Sequence, residues 1–317
     1  MQPVNISVYR PGTVLDDELA GLGYAAMRGW PDQRPVTAAL VRSRLRPPGK
    51  ALPTMLFVSR TASGGLAAAA AVRHSAAPGA PARLWGPVVA PEWQRRGLGT
   101  LLLQYVTDYL PGHGVVALTA EIPASREHGC ALYERAGWVP HSSAVLLKGP
   151  LAPPARPPAG GVRVRPVGVS DAAALGRLYR AVNPGQGSAV AENTYWRWGS
   201  DERFVADGLL GVDGAVGELR AAALVYPLIH ASPGEPAEAL LADVLVRPGE
   251  DRAAVAQPLI AAALAAGARH DAVVARAVVP AAQRDLLADL RAAGLTARED
   301  IRYYQAPLTS SARREAS

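Results

Sequence analysis

The stretch Gln94-Arg95-Arg96-Gly97-Leu98-Gly99-Thr100 decides the fold predicted for this chain of 317 residues. It follows an apolar segment typical of a β-strand, Leu84 to Ala90, and runs into an apolar stripe with helical spacing, Leu101 to about Leu110. A strand therefore leads into a loop that becomes the N-terminus of a helix. The first backbone amides of a helix have no partner within it, and the helix dipole adds partial positive charge there. This order predicts a binding site for a diphosphate.

The glycines and arginines of this loop fit such a ligand. Gly97 and Gly99 allow the backbone to approach phosphate oxygens without a Cβ atom in between. Arg95 and Arg96 add positive charge and donors for charged hydrogen bonds. Two glycines alone are also compatible with an ordinary strand-to-helix turn. A dinucleotide-binding loop is disfavoured, because its fingerprint needs three spaced glycines after the first strand of the domain.

A second pattern, Ala131-Leu132-Tyr133-Glu134-Arg135-Ala136-Gly137-Trp138, follows a predicted strand at Val115 to Ile122. This pattern and the stretch from Val89 to Leu102 resemble, in the same order, two motifs of the GCN5-related N-acetyltransferases, the GNAT family. The first of these motifs is Gln/Arg-x-x-Gly-x-Gly/Ala after a strand. The resemblance covers residues 1–148 well, and it reaches residues 162–308 only through the order of the elements.

The resemblance implies an α+β fold with α/β layers, in which a mixed, mostly antiparallel sheet is splayed at the acyl-CoA site and flanked by helices. It also implies that acetyl-CoA, or another acyl-CoA, is the cofactor. The residues that it assigns to cofactor binding are Val88, Val89, Ala90, Gln94, Arg95, Arg96, Gly97, Leu98, Gly99, Thr100, Arg126 and Tyr133. Arg126 departs from the family, in which asparagine is usual seven residues before the motif tyrosine.

Two residues of the first half are candidates for the chemistry of acyl transfer. The resemblance places Tyr133 near the thioester sulfur, where a phenol with a pKa of about 10 can protonate the leaving thiolate. The alternative is an aromatic side chain that only packs on its helix. Many family members carry a carboxylate base on the strand before the loop, but Leu84 to Ala90 has none. Glu121, on the next strand, is the nearest candidate base, and it could equally face solvent.

The second half has a candidate base on the matching strand but a degenerate phosphate-binding loop. Asp243 lies within the apolar segment Ala239 to Val246, where burial would raise its pKa and make it a candidate general base. Pairing with an arginine on the face of the strand is the alternative. The following loop, Arg247 to Ala254, has lost one glycine and gained two acids, which repel phosphate and also cap a helix. Leu290 stands in place of the motif tyrosine.

A segment rich in proline and glycine, residues 149–161, separates two halves with the same predicted order of strands and helices. The sequence therefore predicts a duplicated domain. The N-terminal copy spans residues 1–148 and has an intact acyl-CoA loop, the degenerate C-terminal copy spans residues 162–308, and residues 309–317 form a polar tail. This layout resembles the tandem members of the GNAT family, including one of antibiotic biosynthesis.

Composition excludes several other classes of protein. The single cysteine, Cys130, rules out a disulfide framework within the chain or a cysteine-rich zinc site, and the histidines lack metal-ligand spacing, so no metal is expected. No apolar run is long enough to span a membrane, and the cytoplasm is the expected location. Residues 1–150 hold 15 Lys and Arg against 9 Asp and Glu, an excess that suits a polyphosphate ligand. These charges are too scattered for nucleic-acid binding.

The sequence thus predicts an acyl-CoA-dependent N-acetyltransferase, a monomer or homodimer, that moves an acetyl group to the amine of a small metabolite. The resemblance implies direct attack of the amine on the thioester. Two alternatives remain open. In the first, the acetyl-CoA of the first half is structural and the second half is catalytic, a division that the similar layout of mycothiol synthases implies. In the second, the protein binds acyl-CoA without catalysis and regulates a partner.

Overall fold

A computed structural model describes residues 5–9, 15–28, 36–45, 54–74, 80–151, 162–185, 187–201, 203–228 and 236–308. The predicted polar tail and most of the predicted linker, residues 152–161, lie outside these ranges. Contacts between residues divide the chain into two units. The first unit contains Met1–Ser143 and Ile301–Ser317, and the second contains Ala144–Asp300.

The first unit is a mixed sheet flanked by helices. In the order of pairing, its strands are β1 (Asn5–Tyr9), β2 (Thr54–Arg60), β3 (Leu66–Arg73), β4 (Ala82–Val89), β5 (Ala117–Pro123) and the end of β12 (Thr296–Pro307). The β4–β5 pair is parallel, and the other pairs are antiparallel. The helices are α1 (Asp16–Ala26), α2 (Ala38–Leu45), α3 (Leu98–Tyr109) and α4 (Glu127–Arg135).

The second unit repeats this order strand for strand. Its strands are β7 (Val164–Pro166), β8 (Leu209–Asp213), β9 (Leu219–Leu228), β10 (Glu238–Val246), β11 (Val274–Pro280) and the end of β6 (Val139–Pro150). Again one pair, β10–β11, is parallel and the others are antiparallel. The helices are α5 (Ala172–Val182), α6 (Ser188–Glu192), α7 (Thr194–Gly199), α8 (Arg252–Ala268) and α9 (Arg284–Ala292). The predicted duplication of an α+β fold is therefore confirmed.

The last strand of each sheet differs from the boundaries predicted from the sequence. Residues 144–150 of β6 pair with β11 in the second unit, although the chain reaches them from α4 of the first. Residues 301–307 of β12 pair with β5 in the first unit, although they follow α9 of the second. Gly149 and Pro150, predicted as linker, are thus strand residues. An apolar alternation predicts a strand, but it does not indicate the sheet edge with which that strand pairs.

Side chains alternate along the strands of the first unit and so give its sheet two apolar faces. One face, which includes Leu84 and Leu118, packs against Leu102 of α3. The other face, which includes Val58, packs against Leu22 of α1. All five side chains are buried. The central strand β4 is therefore held between two cores, and its C-terminal end leads to the start of α3.

None of the helices in the described ranges is long and apolar enough to cross a membrane. Within the same ranges, no group of three or more His, Cys, Asp or Glu side chains could hold a metal ion.

Candidate functional site

The site begins where two parallel strands separate. β4 pairs with β5 only from Ala82 to Leu84, opposite Leu118 to Ala120, and then continues to Val89 in register with β3. The register between β3 and β4 shifts opposite Gly86. Gly86 has a φ of 88°, and a Cβ atom there would lie 2.9 Å from the carbonyl oxygen of Ala69. This irregularity opens a gap on the β5 side of β4, which is the splay predicted from the sequence.

The backbone of β4 presents one residue to this gap. The N–H of Ala90 donates to the carbonyl of Ala67 at 2.9 Å, so these two residues form a hydrogen-bonded antiparallel pair. Hydrogen-bonded and non-bonded pairs alternate along such a ladder, which turns the N–H and C=O of Val89 away from β3. Val88 and Ala90 direct their peptide groups toward β3 instead. Val88, Val89 and Ala90 are all assigned to cofactor binding by the resemblance, but Val89 alone has this orientation.

The predicted helix after the loop begins three residues earlier than expected. Gly97 precedes it with a φ of 82°, in the left-handed region that favours glycine. The first hydrogen bond of the helix runs from the N–H of Leu101 to the carbonyl of Gly97 at 3.0 Å. The N–H groups of Leu98, Gly99 and Thr100 precede this donor and lie in the first turn, where an α-helix offers no internal acceptor. These amides lie at the helix start where the sequence predicts an anion site.

Polar side chains occupy the loop that leads to these amides. Arg95 and Arg96 are both exposed, and Arg95 has a φ of 59°. The guanidinium of Arg96 lies 5.7 Å from the ring centre of Trp93. Gln94 donates from Nε2 to the carbonyl of Val89 at 3.0 Å and so joins the loop to the end of β4. The loop therefore combines positive charge with a fixed backbone.

Tyr133 of α4 reaches the far end of the gap. Its hydroxyl donates a hydrogen bond to the carbonyl of Gly86, and its side chain is buried. The ring stacks on Tyr304 at 5.6 Å and meets Trp138 edge-on at 4.8 Å. Burial raises the pKa of the phenol, which keeps it protonated at neutral pH. Tyr133 thus both packs in the core and directs a proton donor at β4, whereas its counterpart Leu290 in the second unit is a buried apolar side chain.

The two other polar residues predicted for this half lie on β5 and at the start of α4. Glu121 forms an ion pair with Arg83 of β4 and lies opposite Tyr303 in the register of β5 and β12. Its side chain is 31% exposed, so it is neither fully solvated nor free of a counter-charge. Arg126 immediately precedes α4, and it is half-buried.

The second unit contains a comparable separation of strands. β10 pairs with β11 from Glu238 to Leu241 and then continues to Val246 along β9. The register with β9 shifts between Leu241 and Asp243, so Asp243 lies where the strands part. Burial raises the pKa of its carboxyl from 3.8 to about 6, although the Val244 amide and the charge of Arg197 act in the opposite direction. The predicted half-buried carboxylate is thus present.

The corresponding helix start in the second unit is capped by a side chain. The carboxylate of Asp251 accepts hydrogen bonds from the amides of Ala253 and Ala254 at 3.1 and 3.3 Å, at the start of α8. Glu250 pairs with Arg220 at 2.7 Å. The two acids that replaced the glycine therefore stabilise the helix and the loop themselves, and a carboxylate takes the place that a phosphate would need.

The raised pKa of Asp243 has a measurable consequence for stability. Below about pH 4 the carboxyl is protonated in both the folded and the unfolded chain, so its burial in the folded protein costs no charge desolvation. As the pH rises from about 4 through 6, the unfolded chain loses this proton before the folded chain does. The free energy of unfolding therefore falls over this range, by at most about 3 kcal/mol. We expect Asp243→Asn to raise the free energy of unfolding at pH 8 and to leave it nearly unchanged at pH 4. Denaturant titrations of both proteins across this range measure the difference, and a pH-independent difference would contradict it.

Sequence reasoning missed one cluster beside the site. The guanidinium carbons of Arg73 and Arg83 lie 4.8 and 5.4 Å from the ring centre of Trp85. We call these three residues the arginine–tryptophan cluster. Residues 83 and 85 alternate onto one face of β4, and Arg73 of β3 lies directly opposite Arg83. That alternation was visible in the sequence, but the pairing of β3 with β4 was needed to bring the two arginines together.

Comparison with known proteins agrees with this geometry. Residues 18–138 match the sequence model of the acetyltransferase (GNAT) family. A segment of 57 residues is 46% identical to the ribosomal protein bS18-alanine N-acetyltransferase of Salmonella typhimurium, and it covers 18% of this chain and 38% of that protein. The chain therefore spans well under half the length of the curated relative that it matches.

Similar solved structures extend over the whole chain. A GCN5-related N-acetyltransferase from Sphaerobacter thermophilus has a TM-score of 0.75 at 18% identity, with 96% of each chain covered. A tandem GNAT protein from the clavulanic acid biosynthesis pathway has a TM-score of 0.71 at 20% identity, with 97% of this chain and 100% of that one covered. At these identities the similarity shows the fold. The chain thus has the tandem GNAT fold, and its residues 18–138 match the sequence model of the acetyltransferase (GNAT) family.

Proposed function

We propose that the first unit binds an acyl-CoA, in the first place acetyl-CoA, and transfers its acyl group to an amine of a small molecule. One observation carries this proposal. The amides of Leu98, Gly99 and Thr100 begin a helix at the end of β4, a strand that has already separated from its neighbour β5. A diphosphate at these amides would satisfy their hydrogen bonds and the helix dipole together. The arm of the same cofactor would then enter the gap.

Two groups that acyl transfer needs would follow one another along the gap. They are a backbone contact for the cofactor arm and a proton donor for the leaving thiolate. From the start of α3, a pantetheine arm would run beside Val89, whose peptide groups face the gap, toward Gly86. Tyr133 meets β4 at that point. In this proposal the amine nitrogen forms a bond to the thioester carbon, the C–S bond breaks, and the phenol of Tyr133 gives its proton to the departing thiolate. The amine nitrogen loses one proton to solvent, and solvent returns one proton to the phenol. The N–H of Val89 stabilises the negative charge that develops on the carbonyl oxygen.

The first unit is less well equipped with a base that would take a proton from the attacking amine. β4 carries no carboxylate between Leu84 and Val89, and Glu121 is the nearest candidate. The ion pair between Glu121 and Arg83 competes with that role. We therefore assign to the first unit mainly the positioning of the two reactants and the proton donor Tyr133. Positioning alone accounts for a large part of the rate enhancement in reactions of this kind.

A second candidate places the chemistry in the second unit. Asp243 favours it, because a carboxyl with a pKa of about 6 at the separation of two strands suits a general base. The capped start of α8 argues against it, because Asp251 occupies the amides that would hold a diphosphate there. In this version the acyl-CoA of the first unit is structural. The clavulanic acid pathway protein of similar fold supports a role for either version in the biosynthesis of a secondary metabolite.

Binding and transfer can be measured separately. Mass spectrometry of the intact complex counts acetyl-CoA per chain, and a thiol reagent then follows coenzyme A release with a panel of primary amines. We expect one acetyl-CoA per chain and release that depends on the amine. Release that vanishes in Asp243→Asn and survives in Tyr133→Phe would move the chemistry to the second unit. Stoichiometric binding without release for any amine would contradict the transferase and leave an acyl-CoA-binding protein.

A further inference from the structure

The arginine–tryptophan cluster carries positive charge that the described residues do not fully balance. Arg83 is paired with Glu121, but Arg73 has no ion pair among the residues that the structure describes. Desolvation and the neighbouring charge of Arg83 lower the pKa of Arg73, since both disfavour its charged form. Within the described part of the chain, the indole Nε1 of Trp85 is a buried donor without an acceptor. Among the described residues, Arg73 and the Trp85 indole therefore lack a negative, hydrogen-bond-accepting partner.

The cluster lies next to the place where the thioester would end. Trp85 immediately precedes Gly86, whose carbonyl meets the hydroxyl of Tyr133. Arg83 lies two residues further back, about 7 Å along an extended strand. Leu84, between them, packs with the core on the opposite face, so Arg83 and Trp85 share the face that α1 covers. A molecule whose amine reaches the thioester would therefore extend its remaining atoms over this cluster.

Stacking alone gives an incomplete explanation of the arrangement. One guanidinium stacked on an indole contributes only a small stabilisation at an accessible site. A second guanidinium on the same ring adds repulsion between the two cations, and a buried N–H without an acceptor destabilises the fold. A carboxylate or phosphate would remove both costs, because its oxygens can accept two parallel hydrogen bonds from a guanidinium and one from an indole.

We propose that the arginine–tryptophan cluster binds an oxyanion, a carboxylate or a phosphate, that the acceptor amine carries. The inference rests on the proposed function and narrows the acceptor to amines with an anionic group. Arg73 supplies the uncompensated charge and Trp85 the additional donor, while Arg83 and Glu121 form the neighbouring ion pair. All four residues belong to the first unit.

Paired amines test the preference. The two amines of a pair share one carbon skeleton, and only one of them carries an anionic group. The pairs are β-alanine and its amide, 4-(aminomethyl)benzoate and its amide, and O-phosphoethanolamine and ethanolamine. For the carboxylate pairs, the phosphate pair or both, we expect kcat/KM of the anionic amine to be about tenfold or more above that of its neutral partner. Arg73→Gln should remove that preference, and Arg73→Lys should keep part of it. Arg60→Gln is the control, because Arg60 is an arginine of the same sheet that pairs with Glu18.

A binding measurement separates failure of this site from failure of the transferase. Protein loaded with coenzyme A, which has no acyl group to lose, is titrated calorimetrically with the same amines. Anionic amines that bind without any thiol release in the acetyl-CoA assay would support the cluster and contradict the transferase. Thiol release with equal kcat/KM for charged and neutral partners would overturn the cluster and leave the transferase standing. An unchanged acetyl-CoA stoichiometry in Arg73→Gln shows that the variant is folded, so a preserved preference in that variant also overturns the proposal.

Discussion

Replacement of Gly97 by valine is expected to weaken acetyl-CoA binding by about 100-fold or more. The backbone of Gly97 has a φ of 82°, which costs a residue with a side chain about 1–2 kcal/mol. A Cβ atom built at this position meets no atom within 4 Å, so the protein itself leaves room for a side chain. Gly97 immediately precedes the amides of Leu98, Gly99 and Thr100, at which we place the diphosphate. The new side chain would therefore exclude the diphosphate rather than disrupt the core.

A matched variant in the second unit separates ligand exclusion from backbone strain. Gly249 has a φ of 87° and also has open space around its Cβ position, in the loop before α8. Gly249→Val should lower the melting temperature about as much as Gly97→Val and leave acetyl-CoA affinity unchanged, because Asp251 already caps that helix. Calorimetric titration and thermal unfolding of both variants provide the comparison. Wild-type affinity in Gly97→Val, or an equal loss in Gly249→Val, would contradict the assignment of the diphosphate to α3.

Removal of one oxygen atom from Tyr133 is expected to slow amine-dependent thiol release by about 100-fold. Tyr133→Phe keeps the ring that packs on Trp138 and Tyr304 and removes only the hydroxyl that points at Gly86. Because that hydroxyl contributes to proton transfer and little to the grip on the diphosphate, the dissociation constant of acetyl-CoA should change by less than about threefold. Steady-state rates and calorimetric titration measure the two quantities independently.

The neighbouring tyrosine provides the control for this experiment. The hydroxyl of Tyr304 donates to Glu134 at 2.7 Å, and its ring stacks on that of Tyr133. Tyr304→Phe therefore also removes a hydroxyl from the stacked pair, but one that does not bond to β4. We expect its rate of thiol release to stay close to that of the wild-type protein. Equal slowing of both variants would indicate a loss of packing, and a wild-type rate in Tyr133→Phe would exclude the phenol as the proton donor.

Features that depend on neighbours in the sequence could be predicted without the structure. The loop around Gly97 and Gly99 combines a strand end, a left-handed turn and a helix start within a few residues, and each has a local signature. The replacement of that loop by Glu250 and Asp251 in the second half predicts a helix that caps itself, and Asp251 does accept the amides of Ala253 and Ala254. Two copies of the same element order predict the duplicated fold for the same reason.

Features that depend on pairing across the chain could not be predicted. Tyr133 meets Gly86 across 47 positions, and no local pattern states which strand its hydroxyl reaches. Arg73 and Arg83 share one indole only because β3 and β4 pair in that register. The sequence patterns at the ends of β6 and β12 are typical of ordinary strands. Nevertheless, β6 pairs with β11 of the second unit and β12 pairs with β5 of the first. In each case the partner is chosen by the packing of the whole unit rather than by the residues beside it.

The most direct test is a crystal structure of the protein grown with acetyl-CoA. We expect one coenzyme A per chain, with diphosphate oxygens about 3 Å from the amide nitrogens of Leu98, Gly99 and Thr100 and its thioester beside Tyr133. No diphosphate should lie at the start of α8, where Asp251 accepts the amides. A diphosphate bound at α8, or one bound away from the first turn of α3, would contradict the binding site on which both the proposed function and the acceptor site depend.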